Sequence, residues 1–210
     1  MPLAILNKEA MGALAVGIML LAYGVQLWKT FEGKSEPHPI AWFGFALLTG
    51  VGYLVQWQKG AGPGSWVMGV TAIFCLFVAG MSLYKKRWRL TDFDIWDWGA
   101  LVGGASLFIL YLISRNMYWG PFVSAVLATS ADLILYIPIF KRTWLLPMKE
   151  NATAYGLNSL KFVPSLFAMG QYSIETCLYP SAMIVINAAV VIFLLVRRRR
   201  TYRPDIICNS

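Results

Sequence analysis

The stretch Val25-Gln26-Leu27-Trp28-Lys29-Thr30 closes one long apolar run, and Pro138-Ile139-Phe140-Lys141-Arg142-Thr143, displaced by 113 residues, closes another. Each ends in an aromatic residue, then basic charge, then threonine. At the same offset Ala41-Trp42 falls on Ala154-Tyr155, and Lys85-Lys86-Arg87 falls on Arg198-Arg199-Arg200. Few residues are identical, yet helix ends, basic flanks and aromatic positions coincide. The pattern reads as two three-helix units separated by one further helix. Because the units begin four crossings apart, they share one orientation. That is a parallel repeat about an axis along the membrane normal, one of the two repeat classes that transporters use.

The composition around these stretches demands lipid. Of 210 residues, 58% are apolar and 13% charged, against roughly 45–50% and about 25% in soluble domains. Mean hydropathy is +0.59. Seven apolar runs, at 11–28, 39–57, 65–84, 98–114, 118–140, 153–171 and 178–196, approach the ~20 residues that cross a ~30 Å hydrocarbon core. A soluble core of this size cannot bury seven such runs, which excludes a soluble enzyme, a disordered chain and a disulfide-stapled secreted domain. The expected fold is an all-α integral membrane protein: seven transmembrane helices as two parallel three-helix bundles joined by a linker helix. Residues 1–86 form the first repeat and 87–116 an interfacial segment with helix four. Residues 117–200 form the second repeat, and 201–210 an inner tail.

Charge sets the orientation. The first, third and fifth loops and the C-terminal tail hold fourteen Lys and Arg, whereas the opposite side holds three, Lys8, Lys59 and Arg115. Positive residues stay inside, so the N-terminus is expected outside and the C-terminus in the cytoplasm, with the plasma membrane as the location. The first run lacks a small-residue cleavage site and reads as a retained anchor. Asn151-Ala152-Thr153 fits the glycosylation pattern but falls on the inner side, so it should go unused. The net charge of +8 follows from this topology, and nucleic acid is not an expected partner. Cys75, Cys177 and Cys208 fall at different depths, too far apart for the ~6 Å Cα separation of a disulfide. With His38 the sole histidine, neither a metal site nor a cofactor is expected.

The helix end Tyr23-Gly24-Val25-Gln26-Leu27-Trp28-Lys29-Thr30, followed by Lys34-Ser35 and a new span, resembles the PQ-loop pattern, in which a Pro-Gln pair closes the first helix. Here the pair is split: Gln26 stands in repeat one and Pro138 in repeat two. The 3+1+3 plan looks like that of the SWEET sugar carriers, and is similar to nicotinamide riboside transporters and lysosomal PQ-loop amino-acid exporters. The resemblance spans about residues 11–200 and implies alternating access by rocking of two bundles. It also implies prolines as hinges. Repeat two offers Pro138 and Pro164, and repeat one offers Gly50 and Gly52 in their stead.

Charge inside a span costs at least ~2.5–3.5 kcal/mol at mid-bilayer, so intramembrane ionisable residues mark sites. Asp132 lies eight residues before Phe140, and Lys161 eight residues after Thr153. Both are thus about 12 Å from the inner edge at 1.5 Å per residue. Asn187 in helix seven falls at nearly the same depth. Thr129, Asp132 and Tyr136 share a face of helix five, and Asn158, Lys161 and Ser165 share one of helix six. The repeat-one counterparts are Met19, Leu48 and Phe74. One half therefore supplies polar groups and the other an apolar wall, which suits a small amphipathic solute such as a sugar, nucleoside, vitamin or amino acid. The bland alternative is that Asp132 and Lys161 pair and fasten helix five to helix six.

Other features read as structure. The segment 87–98 lies along the inner interface, with Trp96 and Trp98 anchoring helix four. Gly60-Ala61-Gly62-Pro63-Gly64-Ser65 is a turn. Gly99, Gly103 and Gly104 suit close packing within the bundle or between subunits, leaving a homo-oligomer open. Arg197–Arg200 is a stop-transfer anchor at the lipid surface. No enzyme is expected: rhomboid-type proteolysis needs a membrane-embedded serine and histidine, whereas the lone His38 lies in a loop, and retinal binding needs a lysine in helix seven. A carrier is the leading expectation, with Trp42 and Tyr155 as gate candidates. A non-transporting receptor or assembly scaffold on the same fold, resembling the KDEL receptors, is the alternative.

Overall fold

The computed structural model describes residues 7–33, 39–85, 95–114, 116–145, 147–148 and 151–201. They form α1 (Lys8–Phe31), α2 (Pro39–Gln58), α3 (Trp66–Lys85), α4 (Ile95–Ser114), α5 (Gly120–Leu145), α6 (Ala152–Phe167) and α7 (Ile174–Thr201). A 3-10 turn, Gly62–Ser65, leads into α3, and no strand occurs among the described residues. Lys34, Pro37, His38, Lys86, Arg87, Arg89, Arg115, Lys149, Arg203, Cys208 and the stretch 87–94 lie outside the described residues. So do the side chains of Lys85, Trp96, Gly104, Pro138, Lys141 and Arg142.

Local chemistry sets the helix ends. Asn7 caps α1, its side chain accepting from the Glu9 amide at 3.0 Å, which satisfies one of the free N–H groups of the first turn. At the end of α2 the Gly60 amide donates to Trp57 and the Ala61 amide to Gln56, the paired bonds of a Schellman motif. It needs a left-handed residue, and Gly60 at φ +73° supplies it. Gly12 of α1 meets the turn before α3 so closely that a Cβ there would lie 2.8 Å from the Pro63 carbonyl oxygen.

Six helices have their main contacts in the order α1, α3, α2, α5, α7, α6 and back to α1, and α4 lies against α2 and α5. Helices α5 and α6 share no packed face, because α7 stands against both. The buried cluster takes Ala15, Met19, Ala22 and Tyr23 from α1, Cys75 and Val78 from α3, Tyr136 from α5, Phe162 from α6, and Tyr179, Met183 and Val190 from α7. A second cluster joins Val51 and Val55 of α2 to Tyr111 of α4 and Ala125 and Ala128 of α5.

The outer surface is apolar. Among the described residues, three helical stretches, Lys8–Phe31, Gly62–Tyr84 and Ile174–Arg200, are long and apolar enough to cross a membrane. Leu21, Phe77, Ile113, Val185 and Ile192 are exposed on helix faces, more apolar surface than water tolerates. Trp28, Trp57, Trp66, Trp98, Trp119 and Trp144 are exposed near helix ends, the placement of an interfacial aromatic belt. The protein is a membrane-embedded helical protein. Among the described residues, no atom beyond the adjoining stretch of α4 lies within 4 Å of where a Cβ would stand at Gly99 or Gly103. Cys75 and Cys177 are free thiols.

Candidate functional site

Two polar clusters face the interior. On α5, Asp132 meets Tyr179 of α7, whose phenol donates to Oδ2 at 2.8 Å. One turn further along both helices, the Tyr136 hydroxyl lies 3.9 Å from Met183 Sδ. Asn187 donates Nδ2 to the Met183 carbonyl oxygen at 2.8 Å. From α6, Lys161 reaches across the interior to α3, where Nζ donates to Thr71 Oγ1 at 3.1 Å. The same ammonium stands 4.9 Å from the ring centroids of Tyr23 and Phe162, whose π faces replace part of its lost hydration.

Asp132, Lys161 and Asn187 are each 2% exposed, so all three face inward rather than toward acyl chains. Acid and base do not pair with each other. Equal depth does not make two helices neighbours, and here α7 supplies the partner of Asp132 while α3 supplies that of Lys161. The link between them is aromatic: Phe162, next to Lys161, meets Tyr179 edge to face at 6.0 Å.

Several acceptors are unspent. Asp132 Oδ1, Asn187 Oδ1 and Asn158 Oδ1 are buried atoms without a hydrogen-bond partner. Each such group costs about 1–3 kcal/mol. Lys161 keeps donor capacity as well, since an ammonium has three N–H bonds.

The remaining expected residues divide. Tyr136 is buried in the central cluster, and Asn158 is half-buried one turn before Lys161. Thr129 spends its hydroxyl on the Ala125 carbonyl at 2.8 Å, and Ser165 donates to the Gly64 carbonyl at 2.7 Å. Ser165 thus belongs to the interlocked loops rather than to the polar layer. Pro164 is buried inside α6, and its missing N–H leaves the carbonyl of Leu160 without a helical donor. Pro138 lies in α5, and α7 carries a buried proline of its own, Pro180. Gly50 has open space, whereas Gly52 abuts Met68. Gln26 is half-buried, and its carbonyl accepts from Thr30 Oγ1 at 2.9 Å. Trp42 and Tyr155 pack on the central cluster, Trp42 edge-on to Tyr23 at 5.9 Å. Met19 and Leu48 are fully buried, and Phe74 packs on Tyr23 at 6.0 Å.

Thr71, Tyr179, Tyr23 and Phe162 were not anticipated. One signal was available, because Tyr23 falls on Tyr136 at the 113-residue offset. Thr71 and Tyr179 carry no such mark.

At the end where α2 turns into α3 and α6 into α7, the loops interlock. The Gly170 amide donates to the Ala61 carbonyl at 2.8 Å, and Lys8 Nζ to the Gly170 carbonyl at 3.4 Å. Gln56 Nε2 donates to the Thr176 carbonyl at 2.9 Å, and Lys59 pairs with Glu175 at 3.4 Å.

No family model, curated protein or solved structure matches this chain.

Proposed function

We propose that the chain is a multi-pass membrane carrier that moves a small polar or amphipathic solute by alternating access. Its seven helices all cross the bilayer, α1–α3 and α5–α7 form two parallel three-helix bundles, and α4 links them. The order of neighbours supports this plan. Exchanging α1 with α5, α2 with α6 and α3 with α7 turns the contacts α1·α3, α3·α2 and α2·α5 into α5·α7, α7·α6 and α6·α1, all of which are present. A two-fold axis along the membrane normal produces such an exchange, and PQ-loop and SWEET-like proteins share the arrangement.

The observation that carries the reading is the burial of an acid and a base that are not in direct contact, Asp132 and Lys161, each hydrogen-bonded to a neutral partner. A purely structural pair would be expected to close up, because unpaired buried charge is costly. Lys161 bonds across the line between the bundles, from α6 to α3, so rocking must remake that contact. The interlocked loops lie on the outer side in the expected orientation and close the path there. A receptor would instead present a charged pocket open to that side.

Reconstitution into proteoliposomes tests the proposal. Asp132→Asn and Lys161→Met should each abolish uptake of the transported solute while the purified protein stays monodisperse. Normal uptake by both variants would remove the site.

A further inference from the structure

The carrier reading leaves its solute open between sugars, nucleosides and amino acids, and the interior narrows that choice. Resting on that reading, the geometry points to a zwitterion as the solute: a molecule with an ammonium, a carboxylate and an apolar side group, as in an aliphatic or aromatic amino acid.

The argument starts from the unused bonding capacity. A carboxylate accepts at both oxygens. Asp132 receives one bond, from Tyr179, and its Oδ1 is buried with nothing to accept. Asn187 Oδ1, on the helix that holds Tyr179, is also an orphan acceptor. This side of the interior therefore calls for a donor, and a cationic donor satisfies a carboxylate best. The opposite side has the reverse character. Lys161 Nζ has a single neutral acceptor, Thr71 Oγ1, and two aromatic faces. It lacks the anion that a buried ammonium ordinarily keeps.

Separation of the two groups makes the mould dipolar. Were they in contact, they would neutralise each other and offer nothing to a ligand. Instead each has its own neutral partner, and the Phe162–Tyr179 ring pair connects them. A solute with one charge of each sign can bond to both residues without adding net charge to the membrane interior. A simple amine or a simple acid would complete one side and leave the other unpaired. A sugar brings many hydroxyls but no anion for Lys161. Tyr23 and Phe162 give the rest of the solute an apolar wall.

The experiment uses the full-length protein in lipid nanodiscs, and binding is measured calorimetrically. The probes are L-leucine, isoamylamine (the same molecule without its carboxylate), isocaproate (without its amine), glucose and uridine. Leucine should bind, with each half-molecule at least about tenfold weaker. Asp132→Asn should shrink the advantage of leucine over isocaproate, and Lys161→Met its advantage over isoamylamine. The wild-type series decides the matter even if a variant fails to fold. Equal binding of leucine and either half-molecule overturns the inference, as does binding of glucose or uridine without leucine. In those cases flux of the solute that binds keeps the carrier reading alive. Leucine binding without leucine flux into proteoliposomes keeps the zwitterion site and removes the carrier. Folded protein that binds none of the five overturns the inference.

Discussion

Lys161 Nζ donates to Thr71 Oγ1 at 3.1 Å, a bond between α6 and α3 that joins residues 90 positions apart. It is the only hydrogen bond that the ammonium makes among the described residues, and it sets the first expectation. Thr71→Val keeps the shape and removes the acceptor, leaving a buried ammonium with aromatic faces alone. The thermal stability of the detergent-solubilised protein should fall by an amount equivalent to about 1–3 kcal/mol. In a Lys161→Met background the same change should cost much less, because the group that needed the acceptor is gone. Equal losses in both backgrounds would dissolve the coupling.

Tyr179→Phe strips Asp132 of its one donor. A carboxylate with neither oxygen bonded should destabilise the protein by about 1.5–3 kcal/mol, the range for hydrogen bonds to charged groups. Asp132→Asn should recover part of that loss in the Tyr179→Phe background. Chemical denaturation of both single variants and the double variant checks the recovery.

The interlocked loops should have to part if solute is to pass. Lys59 and Glu175 form a half-buried ion pair across them. Removing that pair should cost little, within ~1 kcal/mol. Replacing both residues with cysteine and joining them through a short bifunctional thiol reagent should stop flux, and cleavage of the linker should restore it. Flux that continues through the linked protein would place the moving gate elsewhere.

Two glycines of α1 should respond in opposite ways. A Cβ at Gly12 would come within 2.9 Å of the Pro63 side chain and 2.8 Å of its carbonyl oxygen, whereas Gly17 has open space. Gly12→Ala should lower the unfolding temperature, since the turn before α3 must shift. Gly17→Ala should leave it equal or raise it, because alanine favours a helix by up to ~1 kcal/mol over glycine. Parallel melts of the two variants decide it.

Hydropathy located the helices well where lipid alone dictates their length. The run 39–57 became Pro39–Gln58, and 65–84 became Trp66–Lys85. It misplaced ends that project beyond the apolar layer. The expected 178–196 is Ile174–Thr201, because backbone hydrogen bonding continues through the arginines. The expected 153–171 stops at Phe167, since the Ala168 amide is shared between the Pro164 and Ser165 carbonyls and the Met169 amide turns to Leu166, three residues back, which tightens and ends the helix. Depth along the normal can be counted from sequence, so Asp132, Lys161 and Asn187 emerged together. Direction around the bundle cannot be counted that way. With α7 packed against both α5 and α6, the partners of the acid and the base came from Tyr179 and Thr71, which the helix order alone conceals.

The carbonyls of Ala61, Gly64, Gly170 and Thr176 are met across the seam by one main-chain amide, that of Gly170, and by the side chains of Ser165, Lys8 and Gln56. Such a latch is spelled in very few letters. Losing Gln56 or Ser165 would strand a carbonyl there, so these two positions should accept exchange far less readily than the loop residues around them.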